Sequence, residues 1–206
     1  MPEKITRIKD GVTVEGKTLK AFIHNGAHHF LTDIKVYKDG LIDCWGFVDI
    51  NGFKGKIASG WVVTSLPEGA RVSIAGGLVD FTATDINAHV REEEFVKEVA
   101  DIIEGLNDRP TSSETCLAAL KAYTSAPSEE AREALRIAYE AVPEHNRRYL
   151  GDMDVKDFPI RMIIYGDQEI ENWSHRIVGR QQGLDPLPTI RVPKVPSPDT
   201  IDAVDS

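Results

Sequence analysis

The chain has 206 residues, of which 41% are hydrophobic and 28% are charged, and its formal net charge is −9. This composition is typical of a folded globular protein and excludes a disordered or fibrous chain. A negatively charged protein repels phosphate backbones, so we do not expect it to bind nucleic acid directly.

The sequence also argues against a secreted or membrane-spanning protein. Its longest apolar run is far shorter than the roughly 20 residues that cross a bilayer. The first residues, MPEKITRIKDG, contain no apolar stretch of the kind that a secretory signal requires. Cys44 and Cys116 are the only cysteines, which gives neither a disulfide framework nor a CxxC pair. We therefore predict a cytoplasmic protein with no membrane contact.

The charge is distributed unevenly along the chain. Residues 1–85 carry ten basic and ten acidic side chains, whereas residues 86–206 carry fourteen basic and twenty-three acidic ones. Strand patterns dominate the first part and helical patterns the second. We predict an α+β protein with a β-rich module at 1–86, a helical segment at 87–183 and an extended or disordered tail at 184–206.

Three residue pairs that favour tight turns divide the first module into hairpins: Asn25–Gly26, Asp39–Gly40 and Asn51–Gly52. A two-residue turn at the first pair would place His24 opposite Ala27. One face of this hairpin then collects the apolar side chains, which we assign to the core: Leu19, Ala21, Ile23, Phe30, Ile34 and Val36.

Later segments extend the same sheet. A strand from Leu41 to Ile50 would add Trp45 and Phe47 to the apolar face, and two strands flank the turn Pro67–Gly69. One more strand covers Phe81–Ile86. Six or seven short strands with glycine-rich turns predict a small antiparallel barrel or a bent sheet, with an SH3-like barrel as the first candidate.

The second part predicts a series of helices. Residues 91–107 place their apolar side chains at helical spacing. A second helix begins near Thr111, where Glu114 can complete a capping box, and a third begins after Ser128. Only a few residues join these two, so we expect an antiparallel helical hairpin. A short fourth helix is predicted from Pro143 to Leu150.

The remaining elements are less regular. The apolar run Ile160–Tyr165 fits either a buried strand or a helix, and we favour a helix that starts at Pro159. A further helix is predicted over Asp167–Gln182, with Gly183 as its stop. The tail that follows is rich in proline and should be extended, with its final ten residues disordered.

Three histidines close together suggest a metal site, but their spacing argues against one. In the predicted hairpin His28 lies on the apolar face, whereas His24 and His29 lie on the other. A two-histidine site with Asp33 remains geometrically possible. We prefer a structural role for these histidines, because ligands without tight spacing are weak evidence for a metal.

A second candidate site lies in the segment YGDQEIENWSHR. On one helix Glu171 and His175 would share a face, with Arg176 beside them. A carboxylate next to a histidine can orient it as a general base. Tyr165 is the first residue of this segment and would complete a set of candidate catalytic residues. An ordinary solvated ion pair is the alternative interpretation.

Nearby carboxylates could add a metal to this site. Asp152 and Asp154, with Asp157 further on, could hold a divalent ion if the fold brought them close to the histidine. Asp43 and Asp49 lie in an apolar region, where we expect them to be hydrated near strand ends, although Lys35 or Arg71 could pair with them.

No nucleophile elbow, P-loop or dinucleotide fingerprint is present, so the sequence leaves any cofactor unknown. The leading functional hypothesis is therefore a non-enzymatic protein-binding or regulatory module, with a proline-rich tail that could lie in a partner's groove. The alternative is a metal-dependent or general-base hydrolase with a site between the β module and the helices. A third hypothesis, an acidic mimic of nucleic acid, is weaker because the acidic residues do not form long runs.

Overall fold

The structure is a computed structural model that describes residues 3–84, 86 and 88–196. The chain folds into two compact units, Met1–Thr111 and Ser112–Ser206. We refer to them as the sheet unit and the helical unit. The predicted boundary at residue 86 therefore differs from the boundary between the compact units, which lies 25 residues later.

Eight strands form one sheet in the sheet unit. They are β1 (Lys4–Lys9), β2 (Val12–Asn25), β3 (His28–Tyr37), β4 (Ile42–Asp43), β5 (Phe47–Val48), β6 (Val62–Val63), β7 (Arg71–Ile74) and β8 (Val79–Thr82). Strands β1 to β5 are neighbours in chain order, β6 pairs with β2, and β7 lies between β3 and β8. All pairings are antiparallel except β3 with β7. The sheet is not closed. The α+β class is confirmed, whereas the barrel and SH3-like details are not.

The central hairpin has the predicted faces but a different register. Asn25 pairs with His28, and His24 pairs with His29, so the turn lies at Gly26–Ala27. Relative to the prediction, the pairing moves by two residues along β3. Because side chains alternate with a period of two, each one keeps its predicted face.

Two helices cover the apolar face of this hairpin, α1 (Ile50–Ala58) and α2 (Glu92–Leu106). The rings of Phe53 and Phe95 lie 6.1 Å apart between them. Buried residues of sheet and helices form one core: Ala21, Ile23, Ile34, Val36, Ile42, Cys44, Phe53, Val62, Phe95, Val99 and Ile102. The helix α2 thus belongs with the sheet because its apolar stripe completes this core, which explains why the compact unit extends beyond residue 86.

The prediction for residues 41–58 was wrong. This region holds the short hairpin β4–β5 and then α1, rather than one long strand and a turn. The Asp49 carboxylate caps α1 by accepting a hydrogen bond of 2.7 Å from the Gly52 N–H. A Cβ at Gly52 would lie 2.9 Å from the Val48 Cβ, so this glycine permits the close approach of helix and strand. Asn51–Gly52 is therefore the first turn of a helix.

The helical unit contains five helices and one 3-10 segment among its described residues. They are α3 (Ser112–Ser125), α4 (Glu129–Ala141), α5 (Glu144–Arg147), α6 (Phe158–Tyr165), the 3-10 helix Asp167–Asn172 and α7 (Ser174–Gln181). The helices α3 and α4 pack as the predicted pair, and the Ser128 hydroxyl caps α4 by accepting from the Ala131 N–H at 3.1 Å.

The helix predicted over Ile160–Tyr165 is confirmed as α6, whereas the one predicted over Asp167–Gln182 is interrupted. The backbone of Trp173 is extended, with φ −72° and ψ 125°, and it separates the 3-10 helix from α7. The Trp173 side chain is buried with Phe158 and Ile170 in a small apolar cluster. Among the described residues, no helix combines the length and the apolar character needed to cross a bilayer.

The described part of the tail packs on its own unit. Val192 and Val195 contact the core of the helical unit. The Tyr123 hydroxyl donates a hydrogen bond of 3.0 Å to the Pro193 carbonyl. The tail is extended, as predicted, although it covers apolar surface of its own chain. The final ten residues, for which disorder was predicted, lie outside the described residues.

Candidate functional site

Four aromatic side chains lie together near the turn of the central hairpin. The ring of Phe30 is 5.2 Å from Trp45 and 6.0 Å from His28, and Trp45 is 6.3 Å from Trp61 in an edge-on arrangement. None of the four is fully buried, and Trp45 keeps 49% of its surface exposed. We call this group, His28, Phe30, Trp45 and Trp61, the aromatic surface.

The position of Trp45 is set by the turn between β4 and β5. The Asp43 carboxylate accepts a hydrogen bond of 3.2 Å from the Gly46 N–H and also pairs with Lys35 at 3.6 Å. Trp45 adopts a left-handed backbone with φ +65°, and Gly46 follows with φ +145°. For a residue with a side chain this conformation costs roughly 1–2 kcal/mol.

A hydrogen bond ties the turn to the end of α1. The Trp61 indole N–H donates to the Cys44 carbonyl at 3.1 Å, which fixes the backbone just before Trp45. The buried Cys44 packs in the core below, and burial raises the pKa of its thiol. Because a protonated thiol is a poor nucleophile, Cys44 supports the turn rather than chemistry.

The aromatic surface exposes large apolar side chains that folded proteins usually bury. Burying one large apolar side chain typically gains about 1.5–3 kcal/mol, so a half-exposed tryptophan forgoes part of that gain. The same residue also carries backbone strain. Strained and exposed residues of this kind concentrate at sites that contact ligands or partners.

One lysine of α1 gives the rim of the aromatic surface a positive charge. The Lys56 ammonium lies 4.8 Å from the centre of the Trp61 ring, a cation–π arrangement. Among the described residues Lys56 forms no ion pair, so its charge is available to a partner. Lys54 lies two residues away on the same helix and points to a different side, where it lines a recess with Arg91 and Val96 of α2.

The predicted histidine cluster is divided between two faces. The rings of His24 and His29 stack at 4.3 Å on one face of the sheet, whereas His28 belongs to the aromatic surface on the other. Asp33 pairs with Lys20 at 2.6 Å and stands four residues along the strand from His29, about 13 Å away. No group of three metal-binding side chains occurs among the described residues.

The histidine of this stack that is more deeply buried is held neutral. Desolvation lowers the pKa of His29, and the adjacent His24 lowers it further, while a hydrogen bond with the Arg71 backbone acts in the opposite direction. A neutral ring allows the two imidazoles to stack without repulsion. Their contact is therefore explained by packing.

The candidate catalytic residues of the helical unit do not form one arrangement. Glu171 pairs with Arg176 at 3.1 Å and also with Arg180. The His175 ring is exposed and stacks on Trp173 at 5.0 Å. The break at Trp173 removes the helical spacing that was expected to place Glu171 beside His175.

The other members of that set serve local structure. The Tyr165 hydroxyl donates to Glu140 at 3.3 Å, and burial raises the pKa of Tyr165. The Asp152 carboxylate accepts from the N–H groups of Asp154 and Val155 at 3.0 and 2.9 Å. The Asp154 side chain is exposed. These contacts explain the residues without a shared substrate or metal.

The aromatic surface was missed because Trp45 and Phe47 were assigned to the core. Phe47 is 54% exposed and contacts Tyr37 and Arg7 instead. One signal was available in the sequence. Asp43 and Gly46 are three residues apart, a spacing that is common in β-turns, and a turn at this place predicts an exposed Trp45 between them.

An open, mostly antiparallel sheet covered by two helices, together with a separate helical unit, defines a two-unit α+β protein. Residues 4–110 match the family model of a domain of unknown function, DUF7638, and residues 111–185 match that of another, DUF7639. The chain belongs to the DUF7638 family. The two matched ranges meet at the boundary between the compact units. No curated protein and no solved structure matches the chain.

Proposed function

We propose that this protein is a non-enzymatic binding module of the cytoplasm that recognises another protein through its aromatic surface. The partner presents an extended segment with proline or aliphatic side chains and an acidic residue beside them. The observation that carries this proposal is Trp45, which is half-exposed on a strained backbone at the centre of the group.

The composition of the surface supports a protein partner. Tryptophan is among the residues most enriched at the energetic centres of protein interfaces. Phe30, Trp45 and Trp61 meet at angles of 47° and 78°, which leaves ring faces and edges turned in different directions. Surfaces of angled aromatic rings accept extended segments, as SH3 domains do with proline-rich peptides. An SH3-like arrangement of this sheet stays a prediction.

The local charge supports an acidic residue in the partner. The whole chain is negative, with a net charge of −9, but the Lys56 ammonium stands at the rim of the aromatic surface. An acidic side chain next to the apolar segment would pair with it. Charges at the rim set orientation and association rate more than affinity.

Site-directed photo-crosslinking tests the proposal. A photoreactive phenylalanine analogue at position 28 places the probe within the aromatic surface, because the His28 ring lies 6.0 Å from Phe30. Position 47 provides the matched control, since Phe47 is as exposed as Trp45 and contacts Tyr37 on the opposite face of the sheet.

We expect a defined adduct with one protein from the probe at position 28 and none from position 47. The crosslinked peptide should contain proline or aliphatic residues near an acidic one. The purified partner should then lose affinity about tenfold or more for Trp45→Ala. Equal crosslinking from both positions, or a partner that binds Trp45→Ala normally, would refute the proposal.

A further inference from the structure

A recess in the helical unit collects basic side chains in an otherwise acidic region. It has a volume of about 450 Å³, within the range of roughly 300–1,000 Å³ that small-molecule sites occupy. Its lining joins the end of α4, the short helix α5, the loop before α6, and α6 itself. Four basic residues contribute to it: Arg147, Arg148, Lys156 and Arg161. We call it the basic recess.

The loop that presents Lys156 is held tightly. The Asp152 carboxylate caps the loop, and the Lys156 N–H donates to the Asp152 carbonyl at 2.8 Å. Lys156 adopts a left-handed backbone with φ +53°. A Cβ on Gly151 would lie 1.6 Å from the Lys156 carbonyl oxygen, so only glycine permits this close approach. The fold therefore fixes the backbone that carries this lysine.

The Arg147 side chain is also fixed. Its guanidinium donates to the carbonyls of Val142 and Glu140 at 3.0 and 3.1 Å, and it lies 5.0 Å from the centre of the Tyr139 ring. These contacts hold the group in place without neutralising it. On the other side of the recess Arg161 lies 4.9 Å from the Phe158 ring.

Three of the four basic residues of the recess differ from most basic residues of their unit. Six basic residues pair with carboxylates, among them Arg161 of the recess itself: Arg132, Arg136, Arg161, Arg176, Arg180 and Lys194. By contrast, Arg147, Arg148 and Lys156 form no ion pair among the described residues. These three cations outnumber Glu144, the exposed carboxylate of the same lining, so the recess attracts an anion.

Two acidic side chains line the recess, the exposed Glu144 and the shielded Asp157. Asp157 is only 7% exposed and accepts a hydrogen bond of 2.7 Å from the Tyr139 hydroxyl. The rings of Tyr139 and Tyr165 stand 6.3 Å apart at 71° and form a wall of the same recess. Tyr139 is only 4% exposed and Tyr165 is 41% exposed, so Tyr165 supplies the aromatic surface beside the positive charge.

We propose that the basic recess binds the phosphate group of a small phosphorylated molecule that carries a planar ring. Lys156 and the two arginines hold the phosphate oxygens, because guanidinium and ammonium groups form charge-assisted hydrogen bonds with them. The tyrosine wall contacts the ring. A nucleoside monophosphate has this combination of phosphate and ring.

Calorimetric titration of the full chain tests the assignment with two probes, inorganic phosphate and adenosine monophosphate. We expect saturable binding of both, with the nucleotide bound at least about tenfold more tightly because only its ring contacts the tyrosine wall. Raising the salt concentration should weaken both. Equal affinity for the two probes would overturn the assignment of a ring-bearing ligand.

Matched variants locate the site. Lys156→Ala and Arg148→Ala remove exposed side chains that make no ion pair among the described residues, and each should weaken nucleotide binding about five- to tenfold. Lys121→Ala removes an exposed lysine of α3 outside the recess and should bind normally. Equal losses in all three variants, or no saturable binding of either probe, would overturn the proposal.

Discussion

The two units of this protein expose opposite kinds of side chain. The sheet unit presents aromatic rings around Trp45, which a core would normally bury. The helical unit presents Arg147, Arg148 and Lys156 around a recess, without the carboxylates that pair most of its other basic residues. In each unit these unusual side chains occupy one small region. A turn or loop presents them, and hydrogen bonds from the surrounding residues fix that turn or loop.

The comparison shows that one chain can carry two recognition chemistries. The aromatic surface suits apolar contact with a partner segment, where shape and buried area set the affinity. The basic recess suits an anion, whose affinity is set by charge and is weakened by salt. The two proposals therefore make different predictions for the same change in solvent.

The largest effects should come from the two cores. Phe53→Ala in the sheet unit should reduce the free energy of unfolding by about 3–5 kcal/mol, and Leu135→Ala in the helical unit by about 2–5 kcal/mol, since both residues are fully buried. Urea unfolding monitored by tryptophan fluorescence distinguishes them. Trp45 and Trp61 report on the sheet unit, and Trp173 reports on the helical unit.

If each unit has its own core, each variant should shift mainly the signal of its own tryptophans. Single-tryptophan backgrounds make this reading unambiguous. A Phe53→Ala variant that shifts only the Trp173 signal would contradict the assignment of the two cores.

A smaller effect is expected from the buried hydrogen bond below the basic recess. Tyr139→Phe leaves Asp157 without its 2.7 Å donor, and we expect a loss of about 1–3 kcal/mol. Burial and Asp157 both raise the pKa of Tyr139, so the hydroxyl keeps its proton at neutral pH. Tyr165→Phe is the matched control, because its hydrogen bond to Glu140 is 3.3 Å long and exposed.

Each unit contains a helix whose N-terminus is capped by a side-chain oxygen, so removing the two caps compares the units by the same type of substitution. Asp49→Ala removes the cap of α1, and Ser128→Ala removes the cap of α4. Each should lower the free energy of unfolding by about 1 kcal/mol. Denaturant titration measures both. A neutral Asp49→Ala would contradict the helix that replaces the predicted turn at Asn51–Gly52.

The smallest effect should be a pH dependence confined to the sheet unit. Because the pKa of His29 is lowered in the fold, the unfolded chain binds more protons than the folded one below the ordinary histidine pKa of 6.5. The stability contributed by the neutral ring is thus complete above pH 6.5 and is lost as the pH falls toward the lowered value. In thermal unfolding across this pH range, His29→Gln should flatten the slope, and a slope equal to that of the unaltered chain would contradict the account.

The sequence alone predicted an element correctly where its apolar residues recur at regular spacing and pack on a single surface. The apolar face of β2–β3, the stripe of α2 and the helix α6 follow directly from spacing. The sequence alone did not predict an element correctly where contacts between distant residues determine the local backbone structure. The helix α1 depends on the Asp49 cap and on the glycine that packs against Val48, and the break at Trp173 depends on burying its indole ring.

The candidate site was harder to predict than the fold. The arginine pair Arg147–Arg148 is visible in the sequence, but Lys156 and Arg161 join it only through the turn before α6. The same applies to the aromatic surface, whose members come from β3, the β4–β5 turn and the end of α1. Side chains from separate elements meet only in three dimensions.

The most direct test of the aromatic surface compares partner affinity and stability for Trp45→Asn, with Phe47→Ala as control. Asparagine tolerates the left-handed backbone, so relief of strain should offset the lost ring contacts and leave the free energy of unfolding within about 1 kcal/mol of the unaltered chain. The account predicts that Trp45→Asn binds the crosslinked partner about tenfold or more weakly while Phe47→Ala binds it normally. Unchanged affinity of Trp45→Asn would contradict it.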